Sequence, residues 1–157
     1  MKQIFKTLTV LFVCAQCALA IGCSLKHEVQ PVKAGLIADG PQPIALVRND
    51  AVFLGFHNAI TLSLSRCGFV VESVPQGTAF ATLPLAMTYT ANWTWDFDLY
   101  LRYAHIELFK DGVVVGDAVY DAFWGGLHLG KFIETEKKVD RLVCDLFPER
   151  APAKAPR

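Results

Sequence analysis

The chain has 157 residues, 53% of them apolar, 11% aromatic and 19% charged, and its 15 basic and 15 acidic residues cancel to a formal net charge of +0. That length and balance describe one ordinary domain and exclude a disordered chain, a collagen-like chain and a large multidomain enzyme. With no surplus of Lys and Arg to neutralise phosphates, they also exclude an electrostatic nucleic-acid binder.

Residues 1–22 open with Lys2 and Lys6, contain no Asp or Glu, and run from Thr7 to Gly22 as a mostly apolar stretch. A basic start followed by a short apolar run ending in small residues is the pattern of an export signal, too short for the ~20 residues of a spanning helix. Ala20-Ile21-Gly22-Cys23 resembles a bacterial lipobox, with Ala20 in the place usually held by Leu. The resemblance implies cleavage before Cys23 and three acyl chains on the new N-terminus. Each buried methylene contributes about 0.8 kcal/mol, so several chains make a lasting anchor where one does not. The competing reading is ordinary cleavage after Ala18-Leu19-Ala20. Ser24 stands where an Asp favours inner-membrane retention in Gram-negative lipoproteins, which points to the outer membrane, periplasmic face. Removing residues 1–22 takes away both early lysines and leaves 13 basic against 15 acidic residues, too even a balance to steer a charged partner.

Residues 23–42 then read as the anchored Cys and a tether, with Lys26, His27, Glu28, Pro31, Gly35, Gly40 and Pro41 breaking up apolar runs; a short edge strand near Val29 to Val32 is compatible with it. The domain proper is expected over 43–147, with a flexible Pro/Ala/charged tail at 148–157. Ile44 to Val47 predicts a buried strand. Phe53, Phe56, Ile60, Leu64 and Cys67 form one helical stripe that Gly68 would terminate, with Asn58 as an alternative later N-cap. Phe69 to Val74 predicts a second strand. Leu85 to Trp95 alternates apolar and polar residues with period two, the clearest strand signal in the chain. Leu99 to Phe109 is a further strand whose alternation breaks, compatible with cover on both faces or with a bulge. Lys110-Asp111-Gly112 marks a hairpin, and Val113 to Ala122 returns beside it. Phe132 to Phe147 carries the second apolar helical stripe. The predicted order is β-α-β-β-β-β-α: an α+β two-layer sandwich, a mixed, mostly antiparallel sheet with two helices on one face.

Thr88-Tyr89-Thr90-Ala91-Asn92-Trp93-Thr94-Trp95-Asp96, Tyr100 to Ala104, Tyr120-Asp121-Ala122, Gly125-Gly126, and Lys131-Phe132 with Thr135 to Val139 together resemble the Sbal-type family of small proteobacterial lipoproteins. The likeness covers most of 85–147. It implies a lipoprotein with a small sheet and two helices. The family carries no established activity, so no catalytic residues transfer from it.

Sites with chemistry are sparse. Gly125 to Lys131 matches G-x-x-x-x-G-K, but Phe132 stands where a phosphate loop needs Ser or Thr for magnesium, so no nucleotide is expected. Asp96, Asp98, Asp117 and Asp121 invite a carboxylate pair, yet Asp at turns serves its own backbone. His27, His57, His105 and His128 lack metal-ligand spacing, so no metal or other cofactor is expected. His57 with Cys67 lacks a third orienting group for nucleophilic catalysis. Cys67 and Cys144 are the candidate disulfide; closing that ~78-residue loop would stabilise by about 4.5 kcal/mol, and two buried free thiols are the alternative. Trp93, Trp95 and Tyr103 are expected in the core beneath the helices, whereas Phe123 and Trp124, past the strand end, are the candidate interaction surface. The expected function is non-enzymatic: a lipid-anchored domain with a structural or protein-interaction role, bound to the membrane through its acyl chains and meeting an envelope protein partner. The alternative is a small envelope glycan-binding module or hydrolase using an aromatic cleft. An anchored assembly subunit would show an apolar patch or an unpaired strand edge.

Overall fold

The computed structural model describes residues 26–96, 98–122 and 134–150. Its elements run β1 (Lys26–Gln30), β2 (Gln42–Val47), α1 (Leu54–Arg66), β3 (Phe69–Val74), a 3-10 turn (Phe80–Thr82), β4 (Leu85–Asp96), β5 (Asp98–Lys110), β6 (Val113–Asp121) and α2 (Thr135–Leu146). One six-stranded sheet has the order β1-β6-β5-β4-β2-β3. β4, β5, β6 and β1 pair antiparallel in succession, and β2 runs parallel to both β3 and β4. This is the expected mixed α+β sandwich with an added strand at one edge.

That added strand corrects the tether. β1 lies inside the segment read as a spacer and pairs with β6 from Lys26↔Asp121 to Gln30↔Asp117. Its charged, aperiodic sequence conceals it, but an edge strand needs only one hydrogen-bonded neighbour and one inward side chain. Val29 supplies the latter by packing against the core, while Lys26, Glu28 and Gln30 keep the outer edge polar. The described sheet therefore includes residues 26–30, ahead of residue 43.

The core lies between the sheet and both helices. Ile44 and Leu46 of β2, Met87 and Tyr89 of β4, and Ala104, Ile106 and Leu108 of β5 meet Phe56, Ile60 and Leu64 of α1 and Val139, Leu142, Val143 and Leu146 of α2. α1 ends where expected: Gly68 takes φ +80 and its N–H donates to the Ser65 carbonyl at 3.0 Å. Asn58 is inside the helix and caps nothing. α2 lies close over β6 because Gly116 has no side chain; a Cβ there would come within 3.1 Å of Val32 and 3.2 Å of Leu146. The two helices are tied by Asp140, which accepts from Ser63 Oγ at 3.0 Å and Arg66 Nη1 at 2.9 Å.

On the other face, Phe80 of the 3-10 turn stacks on Phe109 at 4.4 Å over Ala45 and Ala86. The chain thus passes from β2 to β3 over the helical face and from β3 back to β4 beneath the sheet. The β4–β5 ladder carries a bulge: Asn92 pairs with Tyr103 but Trp93 with Leu101, leaving Arg102 as the extra residue. The β5–β6 turn has Asp111 at φ 51 and Gly112 at φ 78, two successive positive values that suit a two-residue hairpin.

Candidate functional site

β2 ends at Val47, one residue past its pairing of Leu46 with Met87, while β4 runs on to Asp96, so a crevice opens beside the middle of β4 where the chain leaves β2 for α1. Here the loop after β2, Arg48 to Val52, meets the first turn of α1 and the middle of β4 around an open hollow of 290 Å³ lined by Arg48, Asn49, Asp50, Val52, Leu54, His57 and Tyr89. Asn49 fixes the loop: its backbone N–H donates to the Tyr89 hydroxyl at 3.2 Å, its amide donates to the Tyr89 carbonyl at 3.1 Å, and its side-chain oxygen accepts from Ala51 N–H at 3.1 Å. Arg48 pairs with Asp50 at 2.6 Å at the rim.

Beneath the hollow runs a polar chain. His57 Nδ1 is 2.9 Å from the Tyr89 hydroxyl, and His57 Nε2 is 3.0 Å from Ser73 Oγ. Burial, with Arg48 adding to it, pushes the His57 pKa below its usual value and keeps the ring neutral. The Tyr89 hydroxyl already accepts from Asn49, so its proton is best satisfied by donating to Nδ1, which leaves Nε2–H donating to Ser73. In that tautomer the serine receives a proton instead of losing one, and the third member is a neutral phenol that cannot stabilise an imidazolium. The chain therefore suits positioning of α1 on the sheet better than nucleophilic attack. His57 does not meet Cys67, the partner considered from sequence.

The open face of the sheet holds a second polar group. His105 and Glu107 of β5 and Asp117 of β6 bring one ligand atom each within 4.8 Å of one another, the arrangement among the described residues that could hold a metal ion. His105 Nε2 lies 2.5 Å from Asp117 Oδ2, so a metal would have to displace that hydrogen bond. Along the sequence Asp117 shares a strand face with Asp121, two alternations on. The readable signal lay across the ladder, where 105 and 107 share the polar phase of β5 with 117 on its neighbour.

Cys67 and Cys144, the candidate disulfide, are brought together by the two helices as free thiols in this structure, and their side chains hydrogen-bond to each other. Burial pushes the Cys67 pKa up from 9.0 to about 12, with Cys144 and Asp140 adding to it. At a fixed pH below both values, that rise cuts the thiolate fraction by about 10³, so N-ethylmaleimide at pH ~8 is expected to alkylate native Cys67 about a thousandfold more slowly than an unfolded thiol. Mass spectrometry of timed samples reads this directly, and labelling at the unfolded rate would contradict the burial.

Cys23, Phe123, Trp124 and the 125–131 glycine-rich segment lie outside the described residues. Two aromatics expected in the core depart from it: Tyr103 is half-buried on the open face, lining a hollow with Asn92, Arg102 and Asp121, and the second is Trp95. It is 72% exposed instead of buried, because β4 has 12 residues and β5 has 13 while β2 has six, so the hairpin projects past the helical layer. Phe53, Leu54 and Leu99 are exposed at the same end, with Phe53 stacked 4.7 Å from Trp93.

No protein-family model matches the chain, and no curated protein matches it. Among solved structures it is similar to a point variant of PelC from Paraburkholderia phytofirmans, solved as a dodecamer, at 13% identity and TM-score 0.53 over 78% of this chain and 98% of that one. A second crystal form of the dodecamer from the same organism gives 10% identity and TM-score 0.49 over 83% and 100%. The likeness is one of fold.

Proposed function

We propose that this chain is an outer-membrane lipoprotein, anchored on the periplasmic face by acyl chains on Cys23, whose role is non-enzymatic and consists of holding or assembling envelope proteins beside the membrane. The observation that carries this reading is the pairing of Lys26 with Asp121. Lys26 is three positions after Cys23, so no more than two residues separate the lipidation candidate from the sheet. An acylated Cys23 would hold the domain flush against the bilayer, where it serves as a fixed scaffold and not as a mobile enzyme on a tether. The export signal and Gly22-Cys23-Ser24 supply the anchor.

Two features support assembly. β1 and β3 are the outer strands of an open sheet, each paired on one side, and β3 exposes Val70 at its edge. The fold is also one that PelC presents as a dodecamer. Association of several copies, or of this chain with an envelope partner, is the expected use of such edges. The test combines two measurements on protein purified from envelopes. Mass spectrometry of the mature N-terminus, with Triton X-114 partition, is expected to find acylated Cys23 and protein in the detergent phase. Light scattering in detergent, with crosslinking in intact envelopes, is expected to find a multimer or a reproducible partner. A water-soluble chain starting at Ile21 would remove the anchor, and an uncrosslinked monomer would remove the assembly role.

A further inference from the structure

The rungs of the sheet allow the anchor to be placed relative to the exposed apolar residues. Lys26 pairs with Asp121, Asp121 with Tyr103, and Tyr103 with Asn92, one row across β1, β6, β5 and β4. β4 runs antiparallel to β1 through the intervening strands, so the chain before Lys26 and the chain after Asn92 leave this row on the same side. Cys23 is three positions before Lys26, and Trp95 is three positions past Asn92. At about 3.3 Å per residue each reaches at most ~10 Å beyond the row, and three strand spacings separate them laterally by ~14 Å. An anchor on Cys23 is therefore within reach of the level of the hairpin tip.

What stands at that level is apolar. Trp95 is 72% exposed and pairs across the hairpin with Leu99, which is 57% exposed. Phe53 and Leu54, at the start of α1, are 60% and 66% exposed. Four large apolar side chains at one end of a small domain form a patch that ordinarily has an occupant. Acyl chains on Cys23 would hold this end within about 10 Å of a bilayer surface, closer than any partner must come. Tryptophan favours the headgroup layer, with its ring in apolar surroundings and its N–H in water. The nearby charges are balanced: Lys26 pairs with Glu28, and Arg48 with Asp50. Asp96 and Asp98 flank the hairpin turn. Among the described residues these charges leave the end without a cationic surplus for anionic lipid.

We propose that the β4–β5 hairpin tip, together with Phe53 and Leu54, rests in the interfacial layer of the membrane that carries Cys23, giving the domain a second contact that fixes its orientation. The proposal rests on the anchored reading above. Its test uses the native lipidated protein in phosphatidylcholine vesicles containing lipid brominated near the top of the acyl chain. Bromolipid is expected to lower Trp95 emission roughly twofold, as for an interfacial tryptophan. Trp95→Phe, at an exposed position, is expected to remove most of that quenching without altering the circular dichroism. Adding phosphatidylglycerol or salt is expected to change it little. Protein that floats with the vesicles yet shows no quenching overturns the proposal and leaves the anchor standing. Protein that does not float removes the anchor and the proposal together. If Trp95 is shielded from aqueous acrylamide but untouched by bromolipid, a second copy or another protein covers the patch and the proposal falls.

Discussion

Truncating Leu46 to alanine is expected to remove about 3–5 kcal/mol of unfolding free energy, the upper part of the range for buried leucine. Leu46 is 0% exposed in β2, flanked by Ser73 of β3 and Met87 of β4, with the helical layer above. A cavity there cannot close, because strands hold both sides and their spacing is set by backbone hydrogen bonds. A domain of this kind has only ~5–15 kcal/mol in all, so the variant keeps a fraction of its stability. Val70→Ala, on an edge strand at 60% exposure, is the control and should change stability by less than about 0.5 kcal/mol. Urea unfolding reads both as shifts in midpoint at constant slope. A Leu46→Ala loss below about 1 kcal/mol would mean that β2 is not at the centre of the core.

Lys138→Met is expected to make the protein more stable at pH 7, by about 1–2 kcal/mol. The lysine sits in α2 at 7% exposure, its ammonium 4.8 Å from the Tyr120 ring centroid. Burial pushes its pKa down from 10.5 to about 8. Below pH 8 both folded and unfolded chains carry the charge, so folding bears the net cost of burying it. Between pH 8 and 10.5 the unfolded chain binds a proton that the folded one does not, and this group alone makes stability rise with pH. The full swing is about 3 kcal/mol, and the lost cation–π contact offsets part of the gain in the variant. Cys67, Cys144 and Tyr120 all have pKa values raised by burial, so they act in the opposite direction at alkaline pH. The difference between variant and wild type therefore isolates the lysine. That difference should be largest near pH 7 and shrink through pH 8–10. A variant no more stable at pH 7, or an advantage that stays constant with pH, would refute the assignment.

Much of the domain was legible because its signals are local. Leu85 to Trp95 alternates with period two and is a strand. Phe56, Ile60 and Leu64 repeat at helical spacing, and Gly68 stops that helix as its positive φ allows. Asp111-Gly112 turns the chain by the same local rule. β1 is legible only as a short edge strand near Val29 to Val32, offset from its place at Lys26–Gln30, for the converse reason: its five residues carry no periodic pattern, and what makes them a strand is β6, about ninety residues later. The candidate site was less legible still. Ser73, His57 and Tyr89 come from three elements with unremarkable spacing, and only the layering of α1 over β3 and β4 puts them in line. Trp95 was assigned to the core because its phase matches Trp93. Phase reports which face a side chain takes, but not how far the neighbouring layer extends.

The amino-acid order by itself determined the element types, their succession, the α+β class and the pairing of both helices with one greasy face, since each depends on residues within a turn or two of one another. Only the tertiary structure decided that β2 lies between β3 and β4, that the sheet continues to Lys26, and that the long hairpin carries Trp95 past the helices. Those outcomes depend on how elements of unequal length register across the sheet, a quantity set by packing between distant segments and absent from any short stretch of sequence.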